Sequence, residues 1–257
     1  MASLINYCWR LTVTGFCFVG FSAGGLLLST LVFPPMYVLG RNTENRRLWA
    51  KWTIRKFFAL MMLVLRASGT LRLELVGAEK LKEASSVLVL ANHPSLIDIV
   101  VLLSLIPRAT CVVKGGLSRN PFFGGVIRAA GYISNSTPEK LIEDCTRALE
   151  AGNAVVIFPE GTRTRPNEQM KFLRGAAHVL LRTNRPMLPV LIQCTPPTLG
   201  KDSRWHDIPL EPVRFRVVAR DTLSASALAD TCAEPVIAAR RLTTALEHYF
   251  SQELRTL

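Results

Sequence analysis

The residues best suited to chemistry fall in two short segments, each directly after an apolar run. The first is Asn92-His93-Pro94-Ser95-Leu96-Ile97-Asp98. A histidine held by a carboxylate has one ring nitrogen fixed as a donor, which leaves the other as a general base. That is the His-Asp half of a catalytic triad, with a substrate hydroxyl in place of the serine. On a continuous helix, residues five positions apart diverge by about 140°. Pro94 suits the first helical position, which would leave His93 outside the helix and able to fold back on Asp98. Taken alone, the same spacing also fits a histidine that merely caps the helix.

The second segment is Phe158-Pro159-Glu160-Gly161-Thr162-Arg163-Thr164-Arg165-Pro166. It offers a carboxylate, a glycine, two hydroxyls and two guanidiniums. Arginine forks bind phosphate or carboxylate oxygens bidentately, and a glycine admits close backbone approach. By itself this segment also reads as a polar surface turn.

Together, and in this order, Asn92-His93-x-x-x-x-Asp98 and Phe158-Pro159-Glu160-Gly161-Thr162-Arg163 resemble the glycerolipid acyltransferase superfamily, which includes the lysophosphatidic acid acyltransferases. The likeness runs from about Val76 to Ile192. It takes in Lys114 with Pro121-Phe122-Phe123-Gly124, then Phe172-Leu173-Arg174-Gly175-Ala176, and Leu188-Pro189-Val190. The resemblance implies an O-acyltransferase that moves an acyl group from acyl-CoA or acyl carrier protein to the hydroxyl of a lysophospholipid such as 1-acylglycerol 3-phosphate. His93 and Asp98 would be catalytic. Glu160, Gly161, Thr162 and Arg163 would bind the acceptor, with Lys114, Arg165 and Arg174 as further substrate-binding positions; Glu160 could instead order the loop by pairing with a nearby arginine. No metal or other cofactor is implied.

One departure bears on the acceptor. The family's middle block carries an arginine a few residues after a glycine, associated with the acceptor's phosphate. Here Gly131-Tyr132-Ile133-Ser134-Asn135-Ser136-Thr137 has none. A non-phosphate or specialised acceptor, for example lyso-ornithine lipid or a lipid-linked polyene, therefore stays open beside the phosphate monoester. A lipid-binding protein without catalysis on the same scaffold is a third reading.

The elements that must position these residues alternate. Leu71 to Val76 alternates as a strand should, while Val87 to Ala91 and Ala154 to Phe158 are continuous apolar runs, expected of strands covered on both faces. Further strands are expected at Cys111 to Val113, Met187 to Ile192 and Val213 to Ala219. Helices are expected at Ile97 to Leu105, from Thr137-Pro138 to Gly152, at Phe172 to Leu181 and at Ala233 to Leu254. Pro196 to Pro212 reads as a loop. This order predicts an α/β domain, a layered, largely parallel sheet flanked by helices, and places His93 where open α/β sheets bind ligands.

Residues 1–69 read as a membrane anchor with basic, interfacial helices, and residues 70–257 as the catalytic domain. Leu11 to Phe33 is uncharged and long enough to cross a hydrocarbon core of about 30 Å. Pro34-Pro35 disfavours a straight continuation. No small-x-small cleavage site precedes a polar start, so a retained anchor is expected rather than a signal peptide. Phe57 to Leu65 is too short to span and reads as an interfacial or re-entrant helix, or as the buried face of one.

The chain of 257 residues is 49% hydrophobic, with mean hydropathy +0.25 and net charge +12. Arg41, Arg46, Arg47, Lys51, Arg55 and Lys56 cluster after the anchor. Cations there favour the cytoplasmic face and anionic headgroups, whether as a general topology signal or as a specific lipid site. No aromatic-interleaved basic motif accompanies them, so membrane lipid is the expected partner and nucleic acid is not. The six cysteines are scattered, without zinc spacing, and read as free thiols.

Overall fold

The computed structural model describes residues 2–39, 42–166, 168–231 and 234–257. Arg41 of the basic cluster, and Cys232 and Ala233 near the last helix, lie outside the described residues.

Seven strands form one sheet: β1 (Leu71–Val76), β2 (Leu88–Ala91), β3 (Ala109–Lys114), β4 (Ile133–Asn135), β5 (Ala154–Ile157), β6 (Met187–Thr195) and β7 (Val213–Ala219), in the order β1-β7-β6-β2-β5-β3-β4. The five strands from β6 to β4 run parallel, while β7 pairs antiparallel with β6 and parallel with β1. All four residues of β2 and of β5 are buried, as their unbroken apolar runs require.

Alternate residues of these strands feed two cores, following the period of two in a strand. Val89, Ala91 and Val156 point into a core shared with α3 (Thr43–Ala67) and α5 (Ile97–Leu105). Leu88, Leu90, Val155 and Ile157 point to the opposite face, covered by α7 (Pro138–Glu150), α8 (Gly175–Thr183) and α9 (Pro235–Arg255). Two short helices lie between strands, α4 (Ala78–Lys82) after β1 and α6 (Gly124–Ala130) before β4.

The structure refines three expectations. Ahead of Pro34-Pro35 the N-terminal helix does not continue as a regular α-helix: α1 (Ala2–Leu27) passes through a wide π turn at Leu28–Val32 into α2 (Phe33–Leu39). Pro34 and Pro35 fall in the first turn of α2, where a missing N–H is tolerated. Phe57 to Leu65 is the second half of α3, with Phe58, Met62 and Leu65 on its buried face, and the helix start is capped by Asn42, the side chain of which accepts from the amide of Glu44 at 2.8 Å. The helix expected from Phe172 begins at Gly175, and the Phe172 amide just ahead of it donates to Glu247 of α9 at 2.6 Å. Strand β4 and helices α4 and α6 were not anticipated.

The stretch Leu4–Tyr37 is long and apolar enough to cross a membrane by length and composition. Its inner side packs on the domain: Phe21 stacks on Phe58 of α3, ring centroids 5.9 Å apart, and meets the Phe123 ring at a tilt, 4.8 Å away. Its outer side leaves Leu4, Ile5, Phe16, Val19 and Leu31 exposed.

Gly77, between β1 and α4, has φ +71° and lies so close to β7 that a Cβ would meet the Ala219 carbonyl oxygen at 2.5 Å. Gly77→Ala should therefore cost about 1–3 kcal/mol from left-handed strain and overpacking. Thermal unfolding should fall by about 2–4 °C per kcal/mol at this size. An unchanged melting temperature would contradict the close approach of β1–α4 to β7.

Candidate active site

Strand β2 ends at Ala91 and delivers Asn92 and His93 to the carboxyl edge of the parallel strands. Asn92 fixes the exit. Its side-chain amide donates to the Ile192 carbonyl at 2.8 Å, and its side-chain oxygen accepts the Ile192 amide at 2.7 Å. Residues 94–96 then turn, and α5 begins at Ile97 rather than at Pro94. His93 thus lies well outside the helix while Asp98 sits in its first turn, and their separation along the chain becomes a close approach in space.

His93 Nδ1 lies 2.7 Å from Asp98 Oδ2. The same carboxylate oxygen accepts the Ser95 amide at 2.8 Å, as an acidic residue does when it reaches back over a helix start. Ser95 Oγ in turn donates to the Thr198 carbonyl at 2.9 Å and accepts the Ile97 amide at 3.3 Å. The His93 ring stacks on Phe158, which follows β5, with centroids 4.1 Å apart. The histidine side chain remains 17% exposed while that of Asp98 is fully buried, so the pair opens outward through the imidazole alone.

Burial dominates the electrostatics. It pushes Asp98 up to about 6, against the lowering effects of the His93 and Ser95 hydrogen bonds and of the Arg163 charge. Asp98 Oδ1 is buried with no hydrogen-bond partner among the described residues, which adds to the cost of ionising it. Burial likewise pushes the nearby Cys194 thiol up to about 11, so it stays protonated and a poor nucleophile at neutral pH.

The second segment closes over the first. Glu160 is buried, and its Oε1 accepts the His93 amide at 2.7 Å while Oε2 accepts the Thr164 hydroxyl. The Thr164 amide donates back to the His93 carbonyl at 3.0 Å. Glu160 thus clamps the two loops together. Burial pushes its carboxyl up to about 7; the His93 amide lowers it and the Asp98 charge raises it further. Gly161 has φ +67° and sits where a Cβ would meet Leu173 Cδ1 at 2.5 Å, so the turn after Glu160 requires glycine.

Of the cations expected at the site, Arg163 comes nearest to the pair. It is half-buried, acts electrostatically on Asp98, and donates to the Leu199 carbonyl at 2.8 Å. Arg165 instead faces solvent, paired with Asp202 and with Glu168, the latter at 2.5 Å. Thr162 is exposed on the same loop. Lys114, at the end of β3, and Arg174, just before α8, are exposed and make no contact with His93 or Asp98. An apolar cavity of about 70 Å³ lies directly behind the turn, lined by Phe18 and Phe21 of α1, Met61 of α3, Leu96, Ile97 and Leu199. Among the described residues no group of three or more His, Cys, Asp or Glu could hold a metal ion.

Asn92, Ser95, Phe158 and Thr164 carried no assigned role in the sequence. Ser95 could have been found from the Ser-x-x-Asp spacing before an apolar run; the others depend on strand neighbours distant in sequence.

Fold and site together define an α/β protein whose central strands carry a carboxylate-braced histidine to the ligand-binding edge of the sheet. Comparison with known proteins makes the class specific. Residues 72–193 match the model of the acyltransferase family. The chain is 32% identical over 140 residues to 1-acyl-sn-glycerol-3-phosphate acyltransferase of Cocos nucifera, covering 51% of this chain and 46% of that one. It is 26% identical over 174 residues to the alpha form of the same enzyme from Homo sapiens, covering 65% and 58%. The chain spans about half the length of these curated relatives. The crystal structure of the 1-acyl-sn-glycerophosphate acyltransferase of Thermotoga maritima shares the fold, with TM-score 0.70 at 20% identity over 100% of this chain and 97% of that one. The stretch that matches the acyltransferase family runs from β1 to β6, and over it the chain is similar to that family.

Two pH effects follow. Glu160 has its carboxyl raised from 4.5 to about 7, so the folded protein binds more protons than the unfolded chain in that window and loses stability as pH rises through it. Stability measured against Glu160→Gln should therefore decline from pH 4.5 to 7 in the wild type relative to the variant. Parallel curves would refute a buried, protonatable Glu160. Asp98 must be ionised to brace a protonated ring, so activity should fall as pH drops through about 6. Asp98→Asn should lose about 10²–10⁴-fold in kcat/KM. A variant that keeps wild-type activity would remove Asp98 from the mechanism.

Proposed function

We propose that this protein is an O-acyltransferase that moves an acyl group from a thioester, acyl-CoA or acyl carrier protein, to the hydroxyl of a lysophospholipid of the 1-acylglycerol 3-phosphate type. The observation that carries the reading is the 2.7 Å contact between His93 Nδ1 and Asp98 Oδ2. It leaves Nε2 as the nitrogen that can take a proton. As the acceptor oxygen attacks the thioester carbonyl, its proton passes to His93 Nε2, and Asp98 stabilises the imidazolium. The carbon–sulfur bond then breaks, and the thiolate leaves with that proton as free thiol. No covalent acyl-enzyme forms and no metal or other cofactor takes part.

Arg163 is the cation best placed to meet the acceptor's phosphate, since Arg165 is already engaged by two carboxylates. The apolar cavity beside Leu96 and Ile97 suits the first carbons of an acyl chain. The exposed apolar side of α1, with Trp49, Trp52, Leu60 and Leu63 of α3, would seat the protein in a membrane, with the catalytic domain on the cytoplasmic face. The names of the relatives favour a phosphate-bearing acceptor. The absence of arginine in the stretch Gly131 to Thr137 keeps a non-phosphate lysolipid as the second reading.

Purified protein in detergent should release free thiol from acyl-CoA or acyl carrier protein only when an acceptor is present. Among lysophosphatidate, lyso-ornithine lipid and other lysolipids, lysophosphatidate should give the highest kcat/KM. His93→Ala should lower turnover by at least about 10²-fold while the fold is kept. A folded His93→Ala protein with wild-type turnover would overturn the mechanism. A clear preference for lyso-ornithine lipid would replace the acceptor and leave the chemistry standing.

A further inference from the structure

The amino edge of the parallel strands, opposite His93, holds a second cavity that the proposed reaction does not use. Its volume is about 580 Å³, and it lies between the first turns of α3, the end of α6, the second half of α7 and the starts of β3, β4 and β5. Five cations line it: Arg47 and Lys51 from α3, Arg108 before β3, Arg128 from α6 and Arg147 from α7. Two carboxylates face them, Glu44 and Asp144. Both are engaged, Glu44 with Arg108 at 3.4 Å and Asp144 with Arg147 at 3.7 Å. Arg147 also pairs with Glu143 at 2.6 Å, whereas Arg47, Lys51 and Arg128 form no ion pair among the described residues, so the cavity holds three unpaired cationic side chains when Lys51 is protonated.

Lys51 makes the site more than a surface patch. Its side chain is buried, and its ammonium is held at 2.5 Å from Thr110 Oγ1 and 2.7 Å from Asn153 Oδ1, both neutral acceptors. Asn153 is itself fixed by donating to the Ala148 carbonyl at 2.9 Å. The ammonium is thus aimed by two residues that lie just before or within buried strands. Arg108 Nε is also buried without an acceptor. A buried cation without a counter-charge is costly, and that cost is relieved when an anion arrives.

We propose that this cavity is a second anion site, distinct from the catalytic edge, that takes a phosphate-bearing ligand on Lys51, Arg47 and Arg128. Burial, and then the charges of Arg108 and Arg47, lower Lys51 to about 7. A bound phosphate would favour its protonated form. The chemistry is that of a phosphate group, which could arrive as a lipid headgroup or as a soluble phosphate compound.

The test uses the full chain in detergent, with inorganic pyrophosphate as probe and thermal unfolding as readout, since a ligand bound only to the folded state raises the melting temperature. The wild type should shift upward with pyrophosphate. Arg47→Gln and Arg128→Gln, both at exposed positions, should each weaken the apparent affinity about tenfold, the worth of one charge-assisted contact. Arg163→Gln, at the catalytic edge, should leave it unchanged. Each variant's melting temperature without ligand shows that it folds. Competition by phosphatidic acid in phosphatidylcholine nanodiscs would support a headgroup as the natural source. Failure of those nanodiscs to compete, with pyrophosphate still bound, would support a soluble one. No shift with millimolar pyrophosphate would overturn the proposal. So would a shift that survives Arg47→Gln and Arg128→Gln but is lost in Arg163→Gln.

Discussion

A carboxylate with no exposure, holding an imidazole that is only partly covered, sets the terms for the rest of this structure. Burying Asp98 raises the cost of its charge, and Oδ1 makes no hydrogen bond among the described residues to offset it. What keeps it ionisable near neutral pH is the convergence of two donors, the His93 ring and the Ser95 amide, on one oxygen. Each donor must be held from elsewhere. The Ser95 hydroxyl is bonded to the loop after β6, and the His93 backbone is gripped by Glu160 and Thr164 from the loop after β5. The pair depends on three adjacent strands ending in register, and β6-β2-β5 is the centre of the sheet.

That arrangement explains why the second loop has its composition. Glu160 makes its contacts inward, to His93 and Thr164, and so spends its carboxylate on assembling the site. Gly161 permits the turn that follows, tight against Leu173. Arg163 then projects beside Asp98, where its charge favours the carboxylate. A segment that reads as a ligand-binding loop is thus largely a brace, with one guanidinium left near the reacting edge.

The fold was legible in the sequence where burial is complete. The unbroken apolar runs of β2 and β5 and the capped start of α7 at Thr137 stand out because both depend on local residue type. The pair His93 and Asp98 was legible too, through residue type and order. What escaped was set by distant partners. Strand β4 is three residues long and exists through its pairing with β3. The N-terminal helix carries Pro34-Pro35 just after a π turn, which no local pattern signals. The protein partners of Arg165 and Glu160 were not legible either. Asp202 and Glu168 in one case, and the His93 amide in the other, claim side chains that sequence alone left open to a ligand.

The central claim is that Asp98 fixes the proton of His93 on Nδ1 and leaves Nε2 available. Nuclear magnetic resonance of protein labelled with 15N-histidine tests it directly at pH values above the titration of the pair. The account predicts a protonated, hydrogen-bonded Nδ1 and an unprotonated Nε2 for the His93 ring, with this signature lost in Asp98→Asn. A neutral His93 protonated on Nε2, with Nδ1 bare and unaffected by removal of the Asp98 charge, would contradict it.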